Sequence, residues 1–163
     1  MDKKDKLILE MIEFNSGNAR RIQHSLKVYE LARLIGKMEQ ISENDMNNLE
    51  AAAIVHDIGI KVSLEKYGES TGKLQEQEGP PYAKAMLEKL GFELSVIERV
   101  SYLVGHHHTY INIDGMDYQI LVEADFLVNL CEKDSSEETI VGIYNDIFKT
   151  ESGKELCRKM FGI

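Results

Sequence analysis

The chain has 163 residues and a formal net charge of −9 at pH 7, and its Lys and Arg residues are scattered along the sequence. This pattern argues against a broad nucleic-acid-binding surface, which depends on clustered basic side chains. No run is long and apolar enough for a transmembrane helix, and Cys131 and Cys157 form neither a metal-spaced pair nor a disulfide framework. We therefore expect a cytoplasmic protein that acts on a small anionic substrate.

Helical periodicity dominates the chain, and no alternating strand pattern competes with it. The predicted helices cover, in chain order, 4–14, 19–39, 43–58, 80–90, 93–108, 117–131, 136–149 and 152–161. Ser42 with Asp45 three residues later predicts the start of the third helix, and Gly59 is typical of a left-handed helix end. The pair Pro80-Pro81 favours a helix start at 80. The sequence predicts one all-α domain over residues 1–163.

Residues 59–79 form the longest stretch without helical periodicity, and they are rich in Gly, Lys, Glu and Gln. A loop of this length inside a compact domain is usually a lid or a binding loop. The alternative is a disordered, solvated excursion.

Four polar residues are predicted to face the interior: His24, His56, Asp57 and Asp125. His24 has apolar residues four, seven and eleven positions later on the same helix face, and His56 and Asp125 each have them three, four and seven positions earlier. Asp57 directly follows His56. Singly, each could be a hydrogen-bonded core residue. Buried carboxylates normally pair with a cation or a metal, however, and the faces around Asp57 and Asp125 are aliphatic. Three such helices together predict a bound divalent metal.

The other three histidines form the run His106, His107 and His108. In the predicted helix 93–108, His107 shares its face with apolar residues and should point inward, with its neighbours to either side. The alternative is a solvated helix end, where cationic side chains complement the helix dipole.

The order of His24, the segment AAIVHDIG and the segment VEADFLVN resembles the HD superfamily of metal-dependent phosphohydrolases over roughly residues 20–130. The resemblance implies a single orthogonal helical bundle, with the C-terminal helices 136–161 following this core. It also implies that His24, His56, Asp57 and Asp125 bind the first divalent ion, which could be Mn, Fe, Co, Ni, Zn or Mg.

Some HD subfamilies, including the HD-GYP phosphodiesterases and the diadenosine tetraphosphate hydrolases, bind further metals through additional histidines. The corresponding stretches here are QEQEGPPYAKAMLEKLG and YLVGHHHTY, with Glu78 where such families usually have His before Gly. The resemblance therefore implies a second site formed by Glu78, His107 and His108, with Glu76 as the alternative to Glu78.

The sequence also departs from several HD subfamilies. Many members have Lys directly after the His-Asp-x-Gly turn, whereas here Ile60 intervenes before Lys61. Lys61 is expected either to reach a substrate phosphate or to be a plain surface residue. Ile60 stands where the HD 5′-nucleotidases have an acidic residue, the GYP motif is absent, and no Glu-Asp dyad typical of guanosine tetraphosphate hydrolases is present.

These observations predict a metal-dependent phosphomonoesterase or phosphodiesterase that acts on a small nucleotide or another phosphorylated metabolite. Asp57 and Lys61 are the predicted catalytic residues, and Lys61, His106 and Tyr110 are expected to contact the substrate. Two alternatives stay open: an HD-fold di-iron oxygenase, and a non-catalytic nucleotide or partner sensor with a structural metal. A homodimer is also left open.

Overall fold

The computed structural model describes all 163 residues and contains nine α-helices and no β-strand. The helices are α1 (Lys3–Phe14), α2 (Ala19–Met38), α3 (Glu43–Val55), α4 (Gly59–Tyr67), α5 (Gly72–Lys89), α6 (Leu94–Val104), α7 (Met116–Glu132), α8 (Glu137–Ile147) and α9 (Glu151–Phe161). The all-helical prediction is confirmed. None of the helices combines the length and apolar character needed to cross a membrane.

Helix α3 lies at the centre of the fold, where it packs against α1, α2, α6 and α7. Every residue from Asn48 to Val55 is buried, so this helix is enclosed on all sides in its second half rather than on one stripe. Helix α7 is buried on most of its surface as well. Polar side chains that α2, α3 and α7 direct toward one another are therefore held away from solvent.

The prediction of an irregular stretch over 59–79 is wrong. Helix α4 and the start of α5, which begins at Gly72, together occupy most of it. Two signals mark the boundary: Gly68 ends α4 with a φ of 73°, and the Thr71 side chain accepts a hydrogen bond from the backbone amide of Leu74 to begin α5. Gly59 does not end a helix in the left-handed conformation, because its φ is not positive. It is instead the first residue of α4.

The helix predicted to start at Pro80 starts at Gly72 instead, and both Pro80 and Pro81 lie inside it. Proline removes a backbone donor but fixes φ near the helical value, so a helix held by packing can continue through it. Helix α5 packs against both α4 and α6, and this packing outweighs the local signal. The helices predicted over 43–58 and 93–108 likewise end earlier, at Val55 and Val104.

Helices α4 and α5 meet at a glycine contact. A Cβ atom on Gly59 would lie 2.6 Å from the carbonyl oxygen of Gln75 and 2.9 Å from the backbone nitrogen of Gly79. No side chain fits there, so the two backbones approach closely. This contact fixes the turn that joins α3 to α4, and that turn contains the His56-Asp57 pair.

Candidate metal centre

The turn after α3 sets the orientation of the His56 ring. His56 is the C-terminal cap residue of α3 and is fully buried. Its Nδ1 lies 2.8 Å from the carbonyl oxygen of Ala53, which makes Nδ1 the protonated nitrogen, because a carbonyl only accepts. The other nitrogen, Nε2, faces the centre.

Three further side chains converge on the His56 Nε2 atom. His24 from α2 brings its own Nε2 to 3.3 Å, and Asp57 Oδ2 and Asp125 Oδ1 both lie 3.4 Å from His56 Nε2. The ligand atoms of all four residues lie within 4.8 Å of one another, and they could hold a metal ion. The structure therefore brings together the four residues that the sequence singled out.

Two residues of α7 support this group and were not predicted from the sequence. Glu132 places Oε1 3.1 Å from Nδ1 of His24, and Asn129 donates from Nδ2 to Asp125 Oδ1 at 2.9 Å. Asn129 follows Asp125 by four residues and Glu132 follows it by seven, so all three lie on the same helix face. That spacing is a signal that could have identified them.

A second group forms on the other side of Asp57, with His107 and His108. His107 Nδ1 contacts the Val104 carbonyl oxygen at 2.9 Å, and its Nε2 lies 3.4 Å from Asp57 Oδ1. That Nε2 atom is buried and has no hydrogen-bond partner. Since buried polar atoms are nearly always satisfied, an unpaired imidazole nitrogen facing a carboxylate fits a metal ligand.

The two glutamates proposed for this second site lie elsewhere. Glu78 is buried, but its carboxylate accepts hydrogen bonds from Tyr67 Oη at 2.6 Å and from Lys66 Nζ at 2.9 Å. Glu76 accepts from the backbone nitrogen of His108 at 2.9 Å. Glu78 therefore stabilises the contact between α4 and α5, and Glu76 holds the histidine run in place.

Lys61 and His106 also point away from the centre. Because Lys61 lies on a helix rather than in a loop, its direction is fixed: Nζ donates to the carbonyl oxygen of Phe14 at 3.0 Å and lies over the Phe14 ring. The His106 ring stacks on Tyr102 with a centroid separation of 4.0 Å. Neither residue has a part in the proposed centre.

The electrostatics of the site favour a cation. Burial alone would lower the pKa of His24, but hydrogen bonds to Asp125 and Asp57 outweigh it and raise this pKa to about 10. Burial would raise the pKa of Asp57, but the charge of His56, the nearby His107 imidazole and a contact with His24 hold it well below its usual range. Burial lowers the pKa of His108 to about 4, which keeps that imidazole neutral, as a metal ligand must be.

Two cavities adjoin this centre, and Asn129 lines both. One has a volume of about 340 Å³ and is lined by His24 and Asp57, by Arg20 and Arg21, and by other mostly polar residues. The other has a volume of about 210 Å³ and includes His108, Asp125, Tyr110 and Phe126 in its walls. A molecule bound at the centre could thus extend into a polar space that contains two arginines and into an aromatic one.

Comparisons with known proteins agree with this geometry. The family model of the HD domain matches residues 21–144, which confirms the resemblance seen in the motifs. A crystal structure of a predicted HD superfamily hydrolase from an uncultured Thermotogales bacterium is similar, with a TM-score of 0.70 and 21% sequence identity. The match covers 97% of this chain and 84% of that chain, and at this identity it shows a shared fold. Among proteins with curated descriptions, none matches the sequence significantly.

Proposed function

The chain belongs to the HD domain family, and from this membership we propose its function. Members of this family are generally metal-dependent phosphohydrolases. The proposed activity is the metal-dependent hydrolysis of a phosphate ester, monoester or diester, of a small nucleotide or another phosphorylated metabolite. His24, His56, Asp57 and Asp125 are the proposed ligands of the first divalent ion.

One observation supports the metal most strongly: two carboxylates are buried together without a Lys or Arg partner. Asp57 and Asp125 are 9% and 4% exposed, and their only ion-pair partners are histidines. With neutral histidines, the two buried carboxylates would be uncompensated and would strongly destabilise the fold. A divalent cation between them removes that penalty.

The protein contributes orientation and charge to the reaction. A divalent ion at such a site supplies a bound water of lowered pKa and neutralises charge on the phosphoryl oxygens. Ala53 and Glu132 hold the rings of His56 and His24 by their Nδ1 atoms, so that both Nε2 atoms face the centre. Asp57 directs Oδ2 toward His24 and Oδ1 toward His107. This arrangement supports a bridging role for Asp57 and a second ion bound by His107 and His108.

The aromatic cavity is the proposed place for the organic part of the substrate. Tyr110 and Phe126 have ring centroids 5.2 Å apart and share this cavity with the candidate ligands His108 and Asp125. An aromatic wall next to the reacting phosphate favours an apolar or aromatic leaving group. Tyr110 therefore stays a proposed substrate contact.

The test is a phosphate-release screen on chelator-stripped protein reconstituted separately with Mn, Fe, Co, Ni, Zn or Mg. The expected result is turnover of at least one phosphomonoester or phosphodiester, lost in Asp125→Asn and kept in Arg158→Ala, a charge-changing control whose side chain lines neither cavity. Metal binding without phosphate release from any substrate would contradict the proposal. Oxygen consumption by the iron form would favour an oxygenase, and unchanged recovery of a bound nucleotide would favour a sensor.

A further inference from the structure

We propose that Arg20 and Arg21 bind a second anionic group of the substrate, next to the phosphate held at the metal centre. The substrate class this implies is an ester of a diphosphate or a longer phosphate chain. The inference rests on the proposed function for the position of the first phosphate, and it adds residues that the motif-bearing segments do not contain.

These two arginines differ from the others in having no partner for their charge. Of the five arginines in the chain, Arg33 and Arg99 pair with carboxylates, and Arg158 lies over the ring of Tyr144. Arg20 and Arg21 form no ion pair, and the only side-chain hydrogen bond of Arg21 is a long one, 3.4 Å, to Asn15 Oδ1. Unpaired guanidinium groups are unexpected in a chain with 28 Asp and Glu residues against 19 Lys and Arg residues.

The helix places both side chains next to the metal centre. Arg20 and Arg21 precede His24 by four and three residues on α2, so each of them neighbours His24 on the helix surface, with Cβ atoms about 5–6 Å apart. All three line the 340 Å³ cavity together with Asp57. An anion contacting these arginines would therefore lie close to a phosphate bound at His24 and Asp57.

The two cavities differ in the residues that line them, so we expect them to bind different ends of the substrate. The cavity with the arginines contains no aromatic side chain and only two apolar residues, Ile60 and Leu64. The aromatic pair Tyr110 and Phe126 lies in the other cavity. A phosphate chain suits the first cavity, because guanidinium groups bind phosphate oxygens bidentately, and an organic group suits the second.

The experiment measures the binding of inorganic phosphate and pyrophosphate to Mn²⁺-loaded protein by calorimetry, after free metal has been removed. Wild-type protein should bind pyrophosphate more tightly than phosphate. Arg20→Ala and Arg21→Ala should each weaken pyrophosphate binding about tenfold, as expected for the loss of a charge-assisted contact, with a much smaller effect on phosphate. Arg158→Ala removes the same charge at a remote site and should change neither affinity.

Folding is not at risk in Arg20→Ala, because Arg20 is exposed. Unchanged manganese content checks both variants, and Arg21→Lys keeps the charge while it removes the bidentate geometry. Equal losses for phosphate and pyrophosphate would overturn the proposal, since the arginines would then contact the first phosphate. No loss for either anion would overturn it as well. Arginine-dependent pyrophosphate selectivity in a protein that releases no phosphate from any ester would refute the proposed function and leave this anion site standing.

Discussion

Glu132 places its Oε1 atom 3.1 Å from Nδ1 of His24, while the opposite ring nitrogen, Nε2, lies 3.1 Å from Asp125 Oδ1. A carboxylate can only accept, so Nδ1 keeps a proton against Glu132, and Nε2 is the nitrogen that must give up its proton when a metal ion binds. The last residue of α7 thus determines which nitrogen of His24 is available to a metal ion.

Glu132→Ala should therefore weaken metal binding although Glu132 is not a proposed ligand. Losing a carboxylate that orients a ligating histidine typically lowers metal affinity about 10–100-fold. Competition with a chelator measures the change. Glu132→Gln keeps an acceptor and should bind metal more tightly than Glu132→Ala. Glu98→Ala, at an exposed position on α6, is the control, and equal affinities in all three variants would remove this role from Glu132.

His56→Ala and Asp57→Ala should each lose most of the bound metal and nearly all phosphohydrolase activity, because each removes a proposed ligand of the same ion. Metal should raise the melting temperature of wild-type protein, since binding to the native state stabilises it, and should have little effect on either variant. Metal analysis and a thermal scan with and without metal give both results. Full occupancy with unaltered turnover in either variant would rule out the assignment.

His107→Ala should lower the metal content from about two ions per chain toward one, because it removes the buried, unpaired Nε2 atom that faces Asp57. Glu78→Ala is the matched control. Its carboxylate is engaged by Lys66 and Tyr67, so its loss should leave the metal content unchanged. A wild-type protein that binds a single ion under saturating metal would contradict the second site.

Metal affinity should rise with pH. The carboxylates beside His24 raise its pKa to about 10 in the metal-free site, so His24 is protonated at neutral pH and must lose that proton when metal binds. The pKa values of Asp57 and Asp125 are lowered, so these carboxylates release none. Each ion should release at least one proton, and affinity should rise about tenfold or more per pH unit between about pH 6 and 9. Calorimetry in buffers of different ionisation enthalpy counts the protons, and a pH-independent affinity would contradict this picture.

Gly59→Ala should destabilise the protein by about 1–3 kcal/mol, the usual effect of overpacking, because its Cβ would lie 2.6 Å from a backbone oxygen of α5. Chemical denaturation measures the free energy of unfolding. Gly142→Ala is the control, since a Cβ there meets nothing within 4 Å. In the middle of exposed helix α8, alanine should stabilise by up to about 1 kcal/mol. Equal stabilities would show that α4 can move away from α5.

The sequence was informative where a residue's surroundings lie on its own helix. The inward positions of His24, His56 and Asp125 follow from apolar neighbours at helical spacing on the same face, and the structure does bury all three. The family model confirms the interpretation of these motifs as an HD domain.

The sequence was misleading where two helices determine the outcome together. Gly59 and Pro80 carry strong local signals for a helix end and a helix start, yet both lie within helices because α4 and α5 pack through Gly59 and Gly79. The predicted phosphate contact of Lys61 came from the same error, because a lysine in a loop would be free to reach a phosphate. No local pattern indicates that Arg20 and Arg21 line a cavity with Asp57, because that depends on the packing of distant segments.

The two prolines inside α5 have a consequence for how this helix opens. Neither Pro80 nor Pro81 has an amide hydrogen, so the carbonyl groups of Glu76 and Gln77 receive no helical hydrogen bond from them. Helix α5 is continuous in shape, but its hydrogen-bond ladder is interrupted there. The segment before the interruption contacts His108 through Gln75 and Glu76, and it can exchange its amide protons by local opening while the segment after the prolines stays closed. We therefore expect the part of α5 before the prolines, which contacts the histidine run, to open independently of the rest of the helix.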